Sequence, residues 1–176
     1  MAGLQYCGPL VAQPTASLWA GYVVNLIAPA MLTQAVLPAM IARGHGRIVN
    51  IGSMLGTIPF AHFAAYSSTK AGLKGLSDAL RRELAGTGVE VTHISPRAVR
   101  TKTLAPAILD FAAATGMRMD HPEKVAGRIV EAIVDGAREV RIGMPERLFA
   151  LVNSLAPRLA DRALAAGDRK AAALFR

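Results

Sequence analysis

The sequence predicts an α/β protein in which helices connect the strands of a mostly parallel sheet. Three short apolar runs, at 47–51, 89–94 and 139–142, support this prediction, because buried strands of parallel sheets are continuous apolar segments. Longer stretches between these runs repeat their apolar residues at helical spacing. Alternation of strand, helix and strand is typical of a parallel sheet with helical crossovers.

The predicted elements follow a simple order along the chain. Residues 1–15 contain several glycines and prolines and indicate a loop. A helix is expected over 16–42, which Pro29 and Pro38 should bend or split. Further helices, with glycine or proline at or near most of their ends, are expected over 65–85, 104–114 and 122–134. The pattern indicates one domain over 1–145, followed by an amphipathic helical tail over 146–176.

The composition is that of a globular chain with enough residues for a core: 52% of the 176 residues are apolar and 18% are charged. The net charge of +8 fits nucleic acid, anionic lipid, a cofactor phosphate or an arginine-rich proteome. Because no Lys/Arg block is interleaved with aromatic residues, we expect no nucleic-acid binding.

The cysteine and the histidines of the sequence bear on the cellular compartment and on metal binding. Cys7 is the single cysteine, and the four histidines lack metal-ligand spacing, so we expect no disulfide, no metal and a cytoplasmic location. Proline and arginine interrupt the apolar stretches before they reach the roughly 18 residues of a membrane span, so none is expected.

The tail places Leu148, Leu151, Val152, Leu155 and Leu159 on one helical face. Residues 141–176 hold seven basic and three acidic residues. Such a helix can lie on an anionic membrane or a partner, or it can cover a substrate pocket or a subunit face. The mixed charge of the polar face favours the covering role.

The residues that suggest chemistry surround Tyr66. Tyr66 and Lys70 are four residues apart and share a helix face. A neighbouring ammonium favours the phenolate, so we expect the pKa of Tyr66 to lie below about 10 and to suit general acid–base catalysis. Ser53 follows the strand at 47–51, at the sheet edge where such folds bind ligands. A solvated pair of side chains is the competing interpretation.

The order of these motifs resembles the short-chain dehydrogenase/reductase family. Ile48-Val-Asn-Ile-Gly-Ser53 is followed by Tyr66-x-x-x-Lys70, and Asn25 resembles the active-site asparagine of the family. Pro96-Arg-Ala-Val-Arg-Thr101 is similar to its Pro-Gly-x-Val-x-Thr segment, and Met1-Ala2-Gly3 to the end of its Asn-Asn-Ala-Gly motif. The resemblance extends to about residue 145 and implies a Rossmann-like three-layer α/β/α fold, incomplete at its N-terminal half.

The resemblance also implies a mechanism. Tyr66 would transfer the proton, and Ser53 would hold the substrate oxygen. Lys70 would lower the pKa of the tyrosine and form a hydrogen bond with the nicotinamide ribose. Asn25 would hold a water that links Lys70 to solvent. NAD or NADP would be the cofactor. A carbonyl or alcohol would be the substrate, and we expect it to be apolar because 104–119 is rich in Ala and Leu. The cofactor contacts so implied are Tyr66, Lys70, Ala2, Gly3, Pro96, Val99 and Thr101.

Two features depart from the family pattern. Arg97 stands where the family has glycine, so the loop can differ in shape. Arg97 or Arg100 can meet a phosphate or an acidic substrate, although a solvated arginine fits equally well. No glycine-rich phosphate-binding turn joins a strand to a helix.

We therefore expect an N-terminally truncated family member in which the strand at 47–51 is an exposed apolar edge. Such a chain should be poorly soluble or should form a homodimer or homotetramer. Three functions stay open: part of an ordinary oxidoreductase, an inactive remnant that serves oligomerisation or interaction, and a membrane-surface protein.

Overall fold

The computed structural model describes residues 3–101 and 104–175, without the side chains of residues 144–147. Its sheet contains three parallel strands in the order β1-β2-β3, with β1 at Gly46–Ile51, β2 at Val89–Pro96 and β3 at Glu139–Ile142. In this register Ile48 lies opposite Val91, and Ile94 lies opposite Val140. The prediction of a parallel sheet from three apolar runs is confirmed.

The helices follow the predicted order. They are α1 Thr15–Tyr22, α2 Ala28–Ala42, α3 Ala64–Glu83, α4 Pro106–Thr115, α5 Pro122–Val134, α6 Met144–Leu155 and α7 Pro157–Ala172. Short 3-10 turns lie at Leu10–Ala12, Met54–Gly56 and Ala173–Phe175. Proline lies in the first turn of α4 to α7. Backbone N–H groups of a first turn have no acceptor within the helix, so proline costs no hydrogen bond there.

Helices cover both faces of the sheet, which gives the predicted three-layer Rossmann-like arrangement. On one face, Ile48 and Val91 pack against Leu80 of α3, with Leu37 of α2 at the margin. On the other face, Ile94 and Ile142 pack against Val125 of α5. Each strand sends alternate side chains to opposite faces, so β1 and β2 contribute to both core clusters, and β3 contributes to the second.

Proline was expected to bend or split the first long helix, and a split does not occur. The chain from Thr15 to Ala42 is one helix of 28 residues, and a π-helical segment, Val23–Ile27, lies just before Pro29. The wider π turn accommodates the ring and missing donor of Pro29, and Pro38 lies inside α2 without ending it.

This helix also corrects the expectation about apolar length. By length and composition Thr15–Ala42 suffices to cross a membrane, although one such helix is weak evidence for a membrane protein. Much of its apolar surface is exposed, including Trp19, Met31 and Leu32.

The two tail helices pack on the rest of the chain through one side only. Ala150 of α6 contacts the core around Met54 and Ile58, and Ala171 of α7 joins the cluster around Phe111. Asn153 Nδ2 donates a hydrogen bond of 3.0 Å to the carbonyl oxygen of Thr57. The tail therefore covers the segment that follows Ser53.

Candidate active site

Ser53 is held at the end of β1 by two close approaches of the backbone. Gly52 leaves β1 so near to His93 that a Cβ atom would lie 2.5 Å from the imidazole. At Gly56 a Cβ atom would lie 2.7 Å from the backbone carbon of Lys70, so the turn Met54–Gly56 rests directly on α3. Glycine at these two positions lets the turn place Ser53 against the helix that bears Tyr66 and Lys70.

The structure brings the three predicted catalytic side chains together. The Tyr66 side chain forms a hydrogen bond with the side chain of Ser53. The Lys70 Nζ atom lies 5.8 Å from the centre of the Tyr66 ring and donates a hydrogen bond of 3.1 Å to the carbonyl oxygen of Ile51. Ser53 Oγ also accepts a bond of 3.1 Å from the Leu55 amide, which fixes the orientation of the serine.

The pKa of Tyr66 departs from expectation. Burial raises the pKa of Tyr66 above its usual value, and the hydrogen bond to Ser53 opposes this shift. Burial likewise lowers the pKa of the Lys70 ammonium. The expected lowering by Lys70 is wrong for this state, because the ammonium lies beside the ring and bonds Ile51, while desolvation disfavours the phenolate.

These three side chains line a cavity of about 430 Å³. The predicted cofactor contacts Gly3, Pro96, Val99 and Thr101 also line it, whereas Ala2 lies outside the described residues. The remaining wall is largely apolar and comprises Leu55, Ile58, Phe60, Leu104, Ile108, Met117 and Met119. A polar end and an apolar wall are typical of a small-molecule site.

Asn25 lies slightly apart from this group. It is buried in the π segment, and its side-chain amide forms hydrogen bonds of 2.9 and 2.7 Å with the backbone N–H and carbonyl of Leu4. A third bond of 3.3 Å runs to Thr69 Oγ1. Asn25 and Tyr66 both border a second cavity of about 100 Å³. Asn25 thus anchors the segment that leads from Gly3 into the site.

Sequence reasoning missed two features near the site, the Asp120 partner of Arg97 and the burial of His93. Arg97 forms an ion pair with buried Asp120 across 23 residues of sequence, a spacing that belongs to no local motif. His93 is fully buried behind Gly52 and lies 3.2 Å from Ser77 Oγ, which in turn accepts a bond of 3.0 Å from Asn50. The presence of Arg97 where the family has glycine was a sequence signal for the ion pair with Asp120. The burial of His93 has no sequence signal that we can identify.

The cavity fits one end of a dinucleotide. Lys70 has three N–H donors and gives one to Ile51, which leaves donors for ribose hydroxyls in the cavity that it lines. Val99 and Thr101 lie on the same cavity wall and could contact a nicotinamide. In residues 3–101 and 104–175 we find no glycine-rich turn between a strand and a helix that would hold the pyrophosphate.

Comparison with known proteins gives consistent matches. The family model of the short chain dehydrogenases matches residues 2–110. Ketoacyl reductase HetN from Nostoc sp. is 32% identical over 174 residues, which cover 92% of this chain and 58% of HetN. The chain therefore spans a little under three-fifths of this relative.

Two solved structures share the fold. A short-chain dehydrogenase from Streptomyces avermitilis is 28% identical with a TM-score of 0.75, and the match covers 96% of this chain and 68% of that one. A short chain dehydrogenase from Burkholderia cenocepacia, solved with NADP, is 22% identical with a TM-score of 0.77. That match covers 93% of this chain and 65% of the other.

Proposed function

The chain belongs to the short chain dehydrogenase family, and from this membership we propose that it performs proton transfer in an NAD(P)-dependent oxidoreductase. The substrate class is a carbonyl compound or the corresponding alcohol. One observation carries the proposal: Ser53, Tyr66 and Lys70 meet at the polar end of a cavity of about 430 Å³.

In the reductive direction, the Tyr66 hydroxyl donates its proton to the carbonyl oxygen while Ser53 donates a hydrogen bond to the same atom. Tyr66 carries its proton at neutral pH, as a donor must, whereas burial raises its pKa and so opposes the transfer. Lys70 would hold the ribose of a bound cofactor, and it places a positive charge beside the ring as negative charge develops on the oxygen. The nicotinamide, when bound, supplies or accepts the hydride.

The proton that Tyr66 gives up is replaced through the smaller cavity. This cavity of about 100 Å³ has room for water and is bordered by both Tyr66 and Asn25. The Asn25 side chain, fixed by Leu4, is the group that orders such water. The relay to solvent therefore passes from Tyr66 beside Asn25, whereas the role expected for Asn25 was a water next to Lys70, which does not border this cavity.

The wall of the main cavity supports an apolar substrate. Ile108 and Phe111 belong to a buried cluster on which the half-buried Phe60 packs, and Met117 and Met119 can adapt to different apolar shapes. We propose a hydrophobic ketone or aldehyde as the substrate and either NADPH or NADH as the cofactor.

The proposal is tested on the chain itself. NADPH and NADH are titrated separately, and nicotinamide fluorescence is followed; reduction of a panel of alkyl and aryl ketones is then measured by loss of the reduced nicotinamide. We expect saturable binding of at least one cofactor and turnover that increases with the apolar size of the ketone. The absence of binding by both cofactors would contradict the proposal.

A second candidate is an oligomerisation module, and the exposed apolar surface favours it. Trp19, Met31 and Leu32 are 68%, 63% and 67% exposed, and no other described strand pairs with the outer edge of β1. Two copies that pair these helices would bury this surface. Analytical ultracentrifugation should find a dimer or tetramer that Met31→Lys weakens. A stable dimer without cofactor binding would favour an inactive module over an enzyme.

A third candidate, binding to an anionic membrane surface, rests on the outer side of the tail. Leu148, Leu151, Leu155 and Leu159 are 67%, 52%, 76% and 56% exposed, and Arg158 and Arg162 of α7 are exposed nearby in sequence. The chain should co-sediment with phosphatidylserine vesicles, and Leu151→Gln with Leu155→Gln should abolish this. Unchanged co-sedimentation of that variant would refute the candidate.

A further inference from the structure

We propose that Arg97 and Asp120 are a positioning pair that fastens two loops in the wall of the main cavity and so sets the place of the nicotinamide end of the cofactor. The proposal rests on the function proposed above and adds a residue pair to it.

The pair has two short, parallel hydrogen bonds. Arg97 Nε lies 2.8 Å from one carboxylate oxygen of Asp120, and a terminal nitrogen of the guanidinium lies 2.6 Å from the other. The Asp120 side chain is 7% exposed and that of Arg97 is 17% exposed. Fork-shaped contacts of this kind fix orientation as well as distance, which a lysine in place of Arg97 would not reproduce.

Backbone contacts beside the pair show which segments it joins. The Arg100 amide donates to the Asp120 carbonyl at 2.9 Å, and the Asp120 amide donates to the Ala98 carbonyl at 2.8 Å. Val99 and Asp120 form an isolated parallel bridge outside the main sheet. The segment 97–100 is also tied to the sheet, because the Arg97 amide donates to the Ile142 carbonyl at 3.2 Å.

Both joined segments line the cavity. Val99 and Thr101 come from one segment, and Met117 and Met119 from the other. The two backbone hydrogen bonds alone would join these segments weakly. The buried ion pair of Arg97 and Asp120 adds a directional contact between the same two segments. The pair therefore determines the distance between two cavity-lining segments. One contains Val99 and Thr101 and would contact the nicotinamide, and the other contains Met117 and Met119 and would contact the substrate.

The charges around Asp120 support this arrangement. The hydrogen bond from Arg97 holds the pKa of the Asp120 carboxyl below its usual range, so the pair stays ionised over the neutral pH range. Lys124, also near at 4.0 Å, is largely exposed and contributes less. Asp120 in turn offsets the charge of Arg97 beside a mostly apolar wall, to which Arg118 also contributes.

The glycine of the family pattern suggests the variants. Arg97→Gly and Asp120→Asn remove one half of the pair each, and Arg97→Lys keeps the charge without the fork. Arg128→Gln is the control, because Arg128 forms an exposed ion pair with Glu131 away from the cavity. For each protein, cofactor affinity is measured by nicotinamide fluorescence, KM and kcat by turnover, and amide exchange by mass spectrometry.

We expect cofactor affinity to fall, and the cofactor KM to rise, on the order of tenfold to a hundredfold in Arg97→Gly and Asp120→Asn, with kcat changing less. Arg97→Lys should recover part of the loss. Amide exchange should speed up at 97–101 and around Met119 and Asp120, and stay unchanged in β1.

Three results would overturn the proposal. Unchanged affinity and exchange in both variants would remove the positioning role. Faster exchange throughout the chain, β1 included, would show that the pair acts on stability alone. If the unaltered chain binds neither cofactor, the proposed function fails as well. Cofactor binding that the variants retain would refute only the positioning pair.

Discussion

Replacement of Gly56 by alanine tests whether the turn after Ser53 must rest on α3, the helix that bears Tyr66 and Lys70. The new Cβ atom would lie 2.7 Å from the carbonyl carbon of Lys70 and 2.9 Å from its oxygen. These are backbone atoms inside α3, so no side-chain rotation relieves the contact. The turn Met54–Gly56 has to move away from α3 instead.

The size of the effect follows from this distance. Ordinary contacts begin at about 3.4 Å, so the turn must move by roughly 0.7 Å. Overpacking of this kind costs about 1–3 kcal/mol, and the lower chain entropy of alanine offsets about 0.4–1 kcal/mol of it. A net loss of about 1–2 kcal/mol would lower the melting temperature by roughly 2–8 °C. The same displacement would separate Ser53 from Tyr66 and lower kcat by about tenfold or more.

Circular dichroism melting and ketone reduction measure the two effects on the same protein. Gly75→Ala is the matched control, because Gly75 lies on the exposed side of α3 and a Cβ atom there has nothing within 4 Å. The control should gain up to about 1 kcal/mol of stability and keep full activity. Equal stability and activity of Gly56→Ala and Gly75→Ala would refute the argument that this close approach positions Ser53.

Two further predictions concern buried polar groups. Burial lowers the pKa of His93 from 6.5 to about 4. As the pH falls from 6.5 to about 4, the unfolded chain therefore binds a proton that the folded chain does not. The free energy of unfolding decreases over this range by about 3 kcal/mol in total. Denaturant unfolding at several pH values should show this slope, His93→Gln should flatten it, and the same slope in that variant would contradict the assignment. Asn25→Ala removes both bonds to Leu4 and should cost about 1–3 kcal/mol. It should also speed amide exchange at Leu4, and unchanged exchange there would contradict the anchoring role.

The sheet and its flanking helices could be predicted because their signals are local. Each of the three strands is a short apolar run, and the stripe of Leu73 and Leu80 marks the buried side of α3. The first long helix was harder, because proline predicts a break while a π segment removes the need for one. Whether a π segment forms depends on how the helix packs around the buried Asn25. The composition of the sequence does not reveal this packing.

The meeting of Ser53, Tyr66 and Lys70 was predictable for a different reason. Tyr66 and Lys70 share a helix face by spacing alone, and the strand end places Ser53 at the same edge of the sheet. The direction of the Tyr66 pKa shift was not predictable, because it depends on how much water the fold excludes and on where Lys70 places its ammonium. The Arg97–Asp120 pair likewise depends on two loops that meet only in the folded chain.

The most direct test of the central claim compares Tyr66→Phe with Ser68→Ala. Ser68 is an exposed serine on the same helix, whose hydroxyl bonds the Ala65 carbonyl and the Tyr22 hydroxyl. With folding verified by circular dichroism and cofactor affinity by fluorescence, kcat/KM for ketone reduction is measured for both variants. We expect a loss of roughly a hundredfold or more for Tyr66→Phe, unchanged cofactor binding, and full activity for Ser68→Ala. Ketone reduction by Tyr66→Phe at the rate of the unaltered chain would contradict the central claim.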